Sequence, residues 1–126
     1  MIIGIGNDIV EISRIKAIME KYKDRFLNRV FTSYERDYCQ KRKEPAIHFA
    51  GRFAAKEAVV KALGTGFRQG ITWTDIEIHN ESSGKPFVVL SAKLKDQLDS
   101  PALLVSISHS HAYATAVAIW QKSIIL

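Results

Sequence analysis

Asp8 and Glu57 are the two carboxylates that the sequence sets apart from the rest. Glu57 lies in HFAGRFAAKEAVVKAL, where helical periodicity puts it on one face with Ala50, Phe53, Ala54 and, one turn on, Lys61. A carboxylate inside an apolar stripe is costly to bury unless it is paired or holds a metal. The plainer reading is an i,i+4 Glu-to-Lys surface pair, which stabilises a helix by about 0.2–0.5 kcal/mol. Asp8 stands near the end of an isoleucine-rich stretch, either as a metal ligand or as a cap facing solvent. Together the two carboxylates supply the hard oxygen donors that magnesium prefers.

Other candidates are weaker on their own. Gly4-Ile5-Gly6 lacks the third glycine and the helix start of a dinucleotide fingerprint, and is rejected as one. Gly64-Thr65-Gly66, with Arg68 and Gly70 beyond, either presents backbone N–H groups to phosphate or is an ordinary helix stop. His109 and His111 alternate along a strand, but two histidines without a third ligand are a weak metal signal. Lys85-Pro86 after Gly84 falls either at a pocket edge or in a plain turn. The single cysteine, Cys39, has no partner for a disulfide or a zinc site.

The elements that must position these residues follow from periodicity and punctuation. Ile2, Ile3, Ile5, Ile9 and Val10 read as a buried strand interrupted by Gly4 and Gly6. Ile12, Ile15, Met19, Tyr22 and Phe26 form the apolar face of one following helix. Arg14, Ile18, Lys21 and Arg25 fall on another face, within about 60° of one another. Thr32 and Glu35 form a capping box for a short helix to about Lys43. Pro45 opens the Ala-rich helix and Gly64 stops it. Ile71 and Trp73, then Ile76 and Ile78, alternate with a change of parity at Asp75 that predicts a bulge. A turn at Ser82-Ser83-Gly84 precedes a strand over residues 87–90, and residues 92–98 suit one or two helical turns. Leu103, Val105 and Ile107, then Tyr113, Thr115, Val117 and Ile119, predict two strands joined around residues 108–111. The expected fold is α+β, a single domain over residues 1–126 with helices packed on a mostly antiparallel sheet.

The 126 residues carry a net charge of +5, with 47% apolar and 25% charged residues, ordinary for a soluble domain. No apolar run approaches the roughly 18 residues of a membrane span. The start lacks the basic n-region and cleavage site of a signal peptide, so a cytoplasmic location is expected and no membrane partner. Ten of the 18 Lys/Arg but only four of the 13 Asp/Glu lie in residues 14–43. That stripe is either a solvated surface or a site for an acidic macromolecule, and the apolar Ile18 within it favours contact.

Taken in chain order, GIGNDIVEISRI, FTSYE (31–35), GRFAAKEAVVKALGTGFRQGITWTDIEI (51–78), GKP (84–86) and SISHSHAYATAVAI (106–119) carry a specific pattern. The series closely resembles the holo-acyl-carrier-protein synthases, the small bacterial type of 4′-phosphopantetheinyl transferase, over nearly the whole chain. The resemblance implies transfer of phosphopantetheine from coenzyme A to a serine of apo acyl carrier protein, with release of adenosine 3′,5′-bisphosphate, in support of fatty acid biosynthesis. It implies magnesium held by Asp8 and Glu57. Glu57 then takes the serine proton, directly or through metal-bound water, while Lys61 stabilises charge on the phosphates. Arg52, Lys56, Gly64, Lys85, Ser108 and His109 match positions around coenzyme A, with Pro86 against the adenine. Arg14, Lys21 and Arg25 are expected to meet the acidic helix of the carrier, with Ile18 or Met19 as the apolar contact. The family further implies a homotrimer with active sites at subunit boundaries.

Two rivals remain on composition alone. A nucleic-acid binder would use the basic stretch, but that stretch offers few exposed aromatics for stacking and no recognised motif, so no nucleic-acid partner is expected. A magnesium phosphohydrolase would use Asp8 and Glu57 to aim water instead of a serine.

Overall fold

The longest helix is built to lie very close to a sheet, and the small residues on both sides are the reason. In the computed structural model, which describes residues 1–64, 66–67 and 70–122, α4 (Pro45–Leu63) crosses β1 (Ile2–Glu11). β1 pairs antiparallel with β5 (Tyr113–Gln121), which pairs antiparallel with β4 (Ala102–His109). Ala50, Ala54, Ala55 and Ala58 on α4 are fully buried, as are Ala114 and Ala118 on β5. Gly4 and Gly6 do not end β1, though its pairing with β5 shifts register between Ile2 and Gly4; both lie within the strand and face α4. A Cβ on Gly4 would sit 2.0 Å from the carbonyl oxygen of Ala62, and one on Gly6 2.1 Å from that of Ala58. Only glycine lets strand and helix approach this closely.

From Gly4 onward the even-numbered residues of β1 face α4, which turns Asp8 toward the helix beside buried Gly6 and Val10. The odd-numbered ones face outward and leave Ile5 67% and Ile9 63% exposed. Leu104, Tyr113 and Val117 from the other two strands are exposed as well. This outer face is apolar and uncovered in a single chain.

The helices before α4 follow the sequence with one break. α1 (Ile12–Tyr22) stops at Lys23, whose φ of 49° redirects the chain into α2 (Asp24–Val30). The apolar stripe expected to continue through Phe26 is therefore split: Ile12 and Ile15 reach the core, while Tyr22 is exposed. The capping box holds. Thr32 N–H donates to Glu35 Oε1 (2.9 Å) and Glu35 N–H to Thr32 Oγ1 (3.3 Å), opening α3 (Ser33–Gln40), shorter than expected. Pro45 occupies the first turn of α4, and Gly64 ends it in the left-handed conformation, φ 76°.

The second half departs from expectation once. Ile71 and Trp73 are not strand residues; Trp73–Asp75 form a 3-10 turn capped by Thr72, whose N–H donates to Asp75 Oδ2 (2.8 Å). The parity change marked this turn rather than a bulge. β2 (Ile76–Asn80) and β3 (Pro86–Leu90) form a separate antiparallel hairpin, followed by α5 (Ala92–Gln97). The whole is one α+β domain with helices packed on antiparallel sheet.

Candidate active site

Where β1 crosses α4, three charged side chains meet. Lys61 Nζ donates to Asp8 Oδ1 (3.0 Å) and to the carbonyl of Asn7 (3.0 Å). Glu57 lies one turn earlier on the same helix face. Burial first, and then the nearby Asp8, hold its carboxyl above the usual carboxylate range, with Lys61 partly offsetting them. Two carboxylates that repel each other beside a single lysine leave negative charge uncompensated, which suits a divalent cation. The donors are carboxylate oxygens, and a magnesium ion keeping waters and substrate phosphates as its other ligands needs no more than these two. Among the described residues no set of three His, Cys, Asp or Glu gathers to hold a metal, so the pair His109 and His111 forms no such centre. Cys39 is buried, and burial pushes its thiol up to about 12, which makes it inert as a nucleophile.

The Glu57 shift has a consequence for stability. The folded protein holds this proton more tightly than the unfolded chain does, so metal-free protein loses stability as pH rises from the ordinary glutamate value toward the raised one. A series of thermal melts across that window should show the decline. Glu57→Gln should flatten it, because no charge then forms beside Asp8.

A second group forms on α4 one to two turns earlier. Arg52, 4% exposed, donates from Nη2 to Asn80 Oδ1, and Asn80 Nδ2 donates to the carbonyl of Gly84 (2.9 Å). The asparagine thus ties Arg52 to the turn carrying Lys85 and Pro86. His109 is exposed at the end of β4 next to Ser108 and lies close enough to His48 to influence it. Burial first, then Arg52, Arg42 and His109, push the His48 pKa down, so several cations crowd this region. At about 100° per residue, Arg52 and Lys61 fall on opposite faces of α4. One chain therefore does not bring its own carboxylate cluster and its Arg52 group into one pocket.

Two expected contacts change character. Lys56 is fully buried and does not face a ligand site. Its ammonium binds Glu35 Oε1 (2.7 Å) and the carbonyls of Val30 (2.7 Å) and Trp73 (3.1 Å), which accounts for all three donors. The family resemblance places Lys56 around coenzyme A, but its neighbours across the fold take up its ammonium. Gly64 already donates its N–H to the carbonyls of Val60 and Lys61, and among the described residues nothing stands where its side chain would be. Thr65 and Arg68 of the same loop, and the tail from residue 123, lie outside the described residues.

The basic stretch resolves into a groove. Ile18, Tyr22, Arg25, Phe26, Arg29 and Phe53 line a cavity of about 600 Å³. Arg14 and Lys21 lie on α1 outside that lining, and Lys21 and Arg25 each place their charge 5.2 Å from the Tyr22 ring. Tyr22, Phe26, Arg29 and Phe53 join this groove without being singled out for it by the sequence. The break at Lys23 rotates α2 relative to α1, and a single-helix projection cannot show that. Phe53 borders the groove from α4, one turn before Glu57 in the same helix.

Comparison with known proteins gives consistent results. The family model described as 4′-phosphopantetheinyl transferase superfamily matches residues 4–118. Holo-[acyl-carrier-protein] synthase of Protochlamydia amoebophila is 64% identical over 97% of this chain and 100% of its own length. That of Chlamydia caviae is 50% identical over 91% of this chain and 93% of its own. Among solved structures, the holo-[acyl-carrier-protein] synthase of Neisseria meningitidis superposes with a TM-score of 0.90 at 33% identity, covering 97% of this chain and all of that one. The Bacillus anthracis enzyme, solved in complex with CoA (3′,5′-ADP), gives 0.83 at 38% identity, covering 98% and 99%.

Proposed function

We propose, from the premise that the chain belongs to the 4′-phosphopantetheinyl transferase superfamily, a division of labour between its two residue groups. The enzyme moves 4′-phosphopantetheine from coenzyme A to a serine of apo acyl carrier protein and releases adenosine 3′,5′-bisphosphate. The observation that carries the assignment of roles is the Asp8–Glu57–Lys61 cluster, with its raised Glu57 carboxyl.

Asp8 and Glu57 would hold magnesium, which supplies neutralisation of the coenzyme A diphosphate. Glu57 accepts the proton of the carrier serine, and the group that burial and Asp8 have raised is suited to it. The serine oxygen forms a bond to the β-phosphorus. The anhydride bond to the adenosine-side phosphate breaks, and its electron pair leaves on the 5′-phosphate of adenosine 3′,5′-bisphosphate. Lys61, held by Asp8 and the carbonyl of Asn7, stabilises the charge that develops there. Arg52, His109, Ser108, Lys85 and Pro86 bind the remainder of coenzyme A. Lys56 holds the fold behind them.

The groove ending at Phe53 receives the carrier protein. Arg25 and Arg29 within it, with Arg14 and Lys21 beside it, meet acidic side chains, and Ile18, Tyr22 and Phe26 supply apolar contact. Pairing of this kind acts mainly on association rate and is weakened by salt. The active unit is a homotrimer. Two observations support this: the uncovered apolar outer face of the β1–β5–β4 sheet, and the placement of Arg52 and Lys61 on opposite faces of α4, which a neighbouring subunit would reconcile. The enzyme works in the cytoplasm in fatty acid biosynthesis; no helix among the described residues is long and apolar enough to cross a membrane.

Incubation with coenzyme A, magnesium and an apo carrier protein should add one phosphopantetheine to the mass of the carrier. Cleavage of coenzyme A with no mass gain would instead indicate hydrolysis. Sedimentation is expected to give a trimer, and a fully active monomer would refute the shared site.

A further inference from the structure

The cation group around Arg52 is organised by an aromatic ring. Tyr38, half-buried on α3, has the guanidinium carbon of Arg42 3.9 Å from its ring centroid and that of Arg52 4.1 Å away. His48 meets the same ring edge-on at 6.3 Å. Arg42 comes from the loop after α3 and Arg52 from α4, so Tyr38 is where two guanidinium groups from separate elements converge. Among the described residues no carboxylate forms an ion pair with either guanidinium. Arg52 is 4% exposed, yet its Nε finds no hydrogen-bond partner among the described residues. The ring borders a cavity of about 380 Å³, to which Lys41 and Arg42 contribute positive charge and Asp37 negative.

Like charges gathered without counter-ions repel, and a group of this kind persists only if something attracts each member. The face of an aromatic ring does so through its quadrupole, and does so best for partly desolvated guanidinium groups. We propose that Tyr38 is a positioning residue for coenzyme A, its ring holding Arg42 and Arg52 together as a preformed cationic seat for a substrate phosphate. This rests on the reading of Arg52 as a coenzyme A contact. Guanidinium forks bind phosphate well once their orientation is fixed, and fixing it before binding lowers the ordering cost. Without the ring, Arg42 turns to solvent and Arg52 loses its lateral support. Glu57 and Lys61, on other faces of α4, keep their geometry.

The test is a separation of kinetic constants. Tyr38→Leu should raise KM for coenzyme A about tenfold and weaken calorimetric binding of adenosine 3′,5′-bisphosphate by a similar factor. Its kcat should stay within about twofold, and KM for the carrier protein should not change. Tyr38→Phe, which keeps the ring, should restore both coenzyme A constants. Arg52→Gln separates this proposal from the reading beneath it. If Arg52→Gln leaves KM for coenzyme A unchanged, the reading of Arg52 fails. If it raises KM while Tyr38→Leu does not, the role of Tyr38 alone fails. Equal losses for both substrates with a lowered Tm, or no recovery in Tyr38→Phe, would also overturn the proposal.

Discussion

Glu57→Gln should lower kcat by about 10³-fold at saturating magnesium while leaving the protein folded. The substitution keeps the shape and removes the charge. With it go the ability to accept the serine proton and one of the two carboxylates available to a cation. Because Glu57 ionises against burial and against Asp8, its neutral replacement should leave the metal-free Tm unchanged or raise it. Activity and stability therefore move in opposite directions, which separates a site residue from a folding residue. Two measurements check this: transfer rate by carrier mass, and thermal shift on adding magnesium, expected in the wild type and absent in the variant. Asp8→Asn should behave likewise in the second assay, with an added effect on Lys61, which loses its 3.0 Å carboxylate partner. Near wild-type transfer in both variants would overturn the metal assignment.

Glu35→Ala should be the most destabilising single change among those the structure suggests. Glu35 and Lys56 are both fully buried, and their 2.7 Å ion pair links α3 to α4. Glu35 also accepts from the backbone N–H of Ile78 (2.8 Å) and of Thr32 (2.9 Å), while Lys56 donates to the carbonyls of Val30 and Trp73. The pair thus fastens the end of α2, the start of α3, the 3-10 turn and β2 around the middle of α4. Burial pushes the Lys56 pKa down and Glu35 opposes that shift. Removing the carboxylate strands a buried ammonium and leaves the buried N–H of Ile78 and the part-buried N–H of Thr32 without it, at a cost of about 3–5 kcal/mol. That is a large part of the 5–15 kcal/mol typical of a whole domain. Urea unfolding should show the midpoint fall accordingly. Lys56→Met, which fills a similar volume with an apolar side chain and leaves Glu35 its two backbone N–H donors, should cost less. A loss below about 1 kcal/mol in Glu35→Ala would mean that water reaches this pair.

The parts of the fold legible in the sequence are those set by neighbours within one turn or one strand. The capping box at Thr32 and Glu35, Pro45 opening α4 and Gly64 closing it are contacts spanning a few residues, so residue type and spacing suffice. Alternation in residues 103–107 and 113–119 gave β4 and β5 for the same reason. Lys23 shows the limit. Nothing in its type demands a φ of 49°, and the turn of the chain into α2 is imposed by what α1 and α2 pack against. Ile71 and Trp73 alternate as strand residues do, yet the Thr72–Asp75 cap closes a 3-10 turn instead.

Asp8 and Glu57, the opening pair, divide in the same way. Sequence by itself determined which residues they are, that Lys61 shares a helix face with Glu57, and the ordered motifs that identify the family. Tertiary structure alone decided that β1 presents Asp8 to α4, because Gly4 and Gly6 let the helix descend onto the strand until Lys61 reaches the carboxylate. It also decided that Lys56, one residue from Glu57, is enclosed while Tyr38, a helix away, gathers the arginines. Helical spacing fixes the direction of a side chain relative to its own axis. What waits in that direction comes from residues tens of positions distant, and burial, charge and pKa are properties of that meeting.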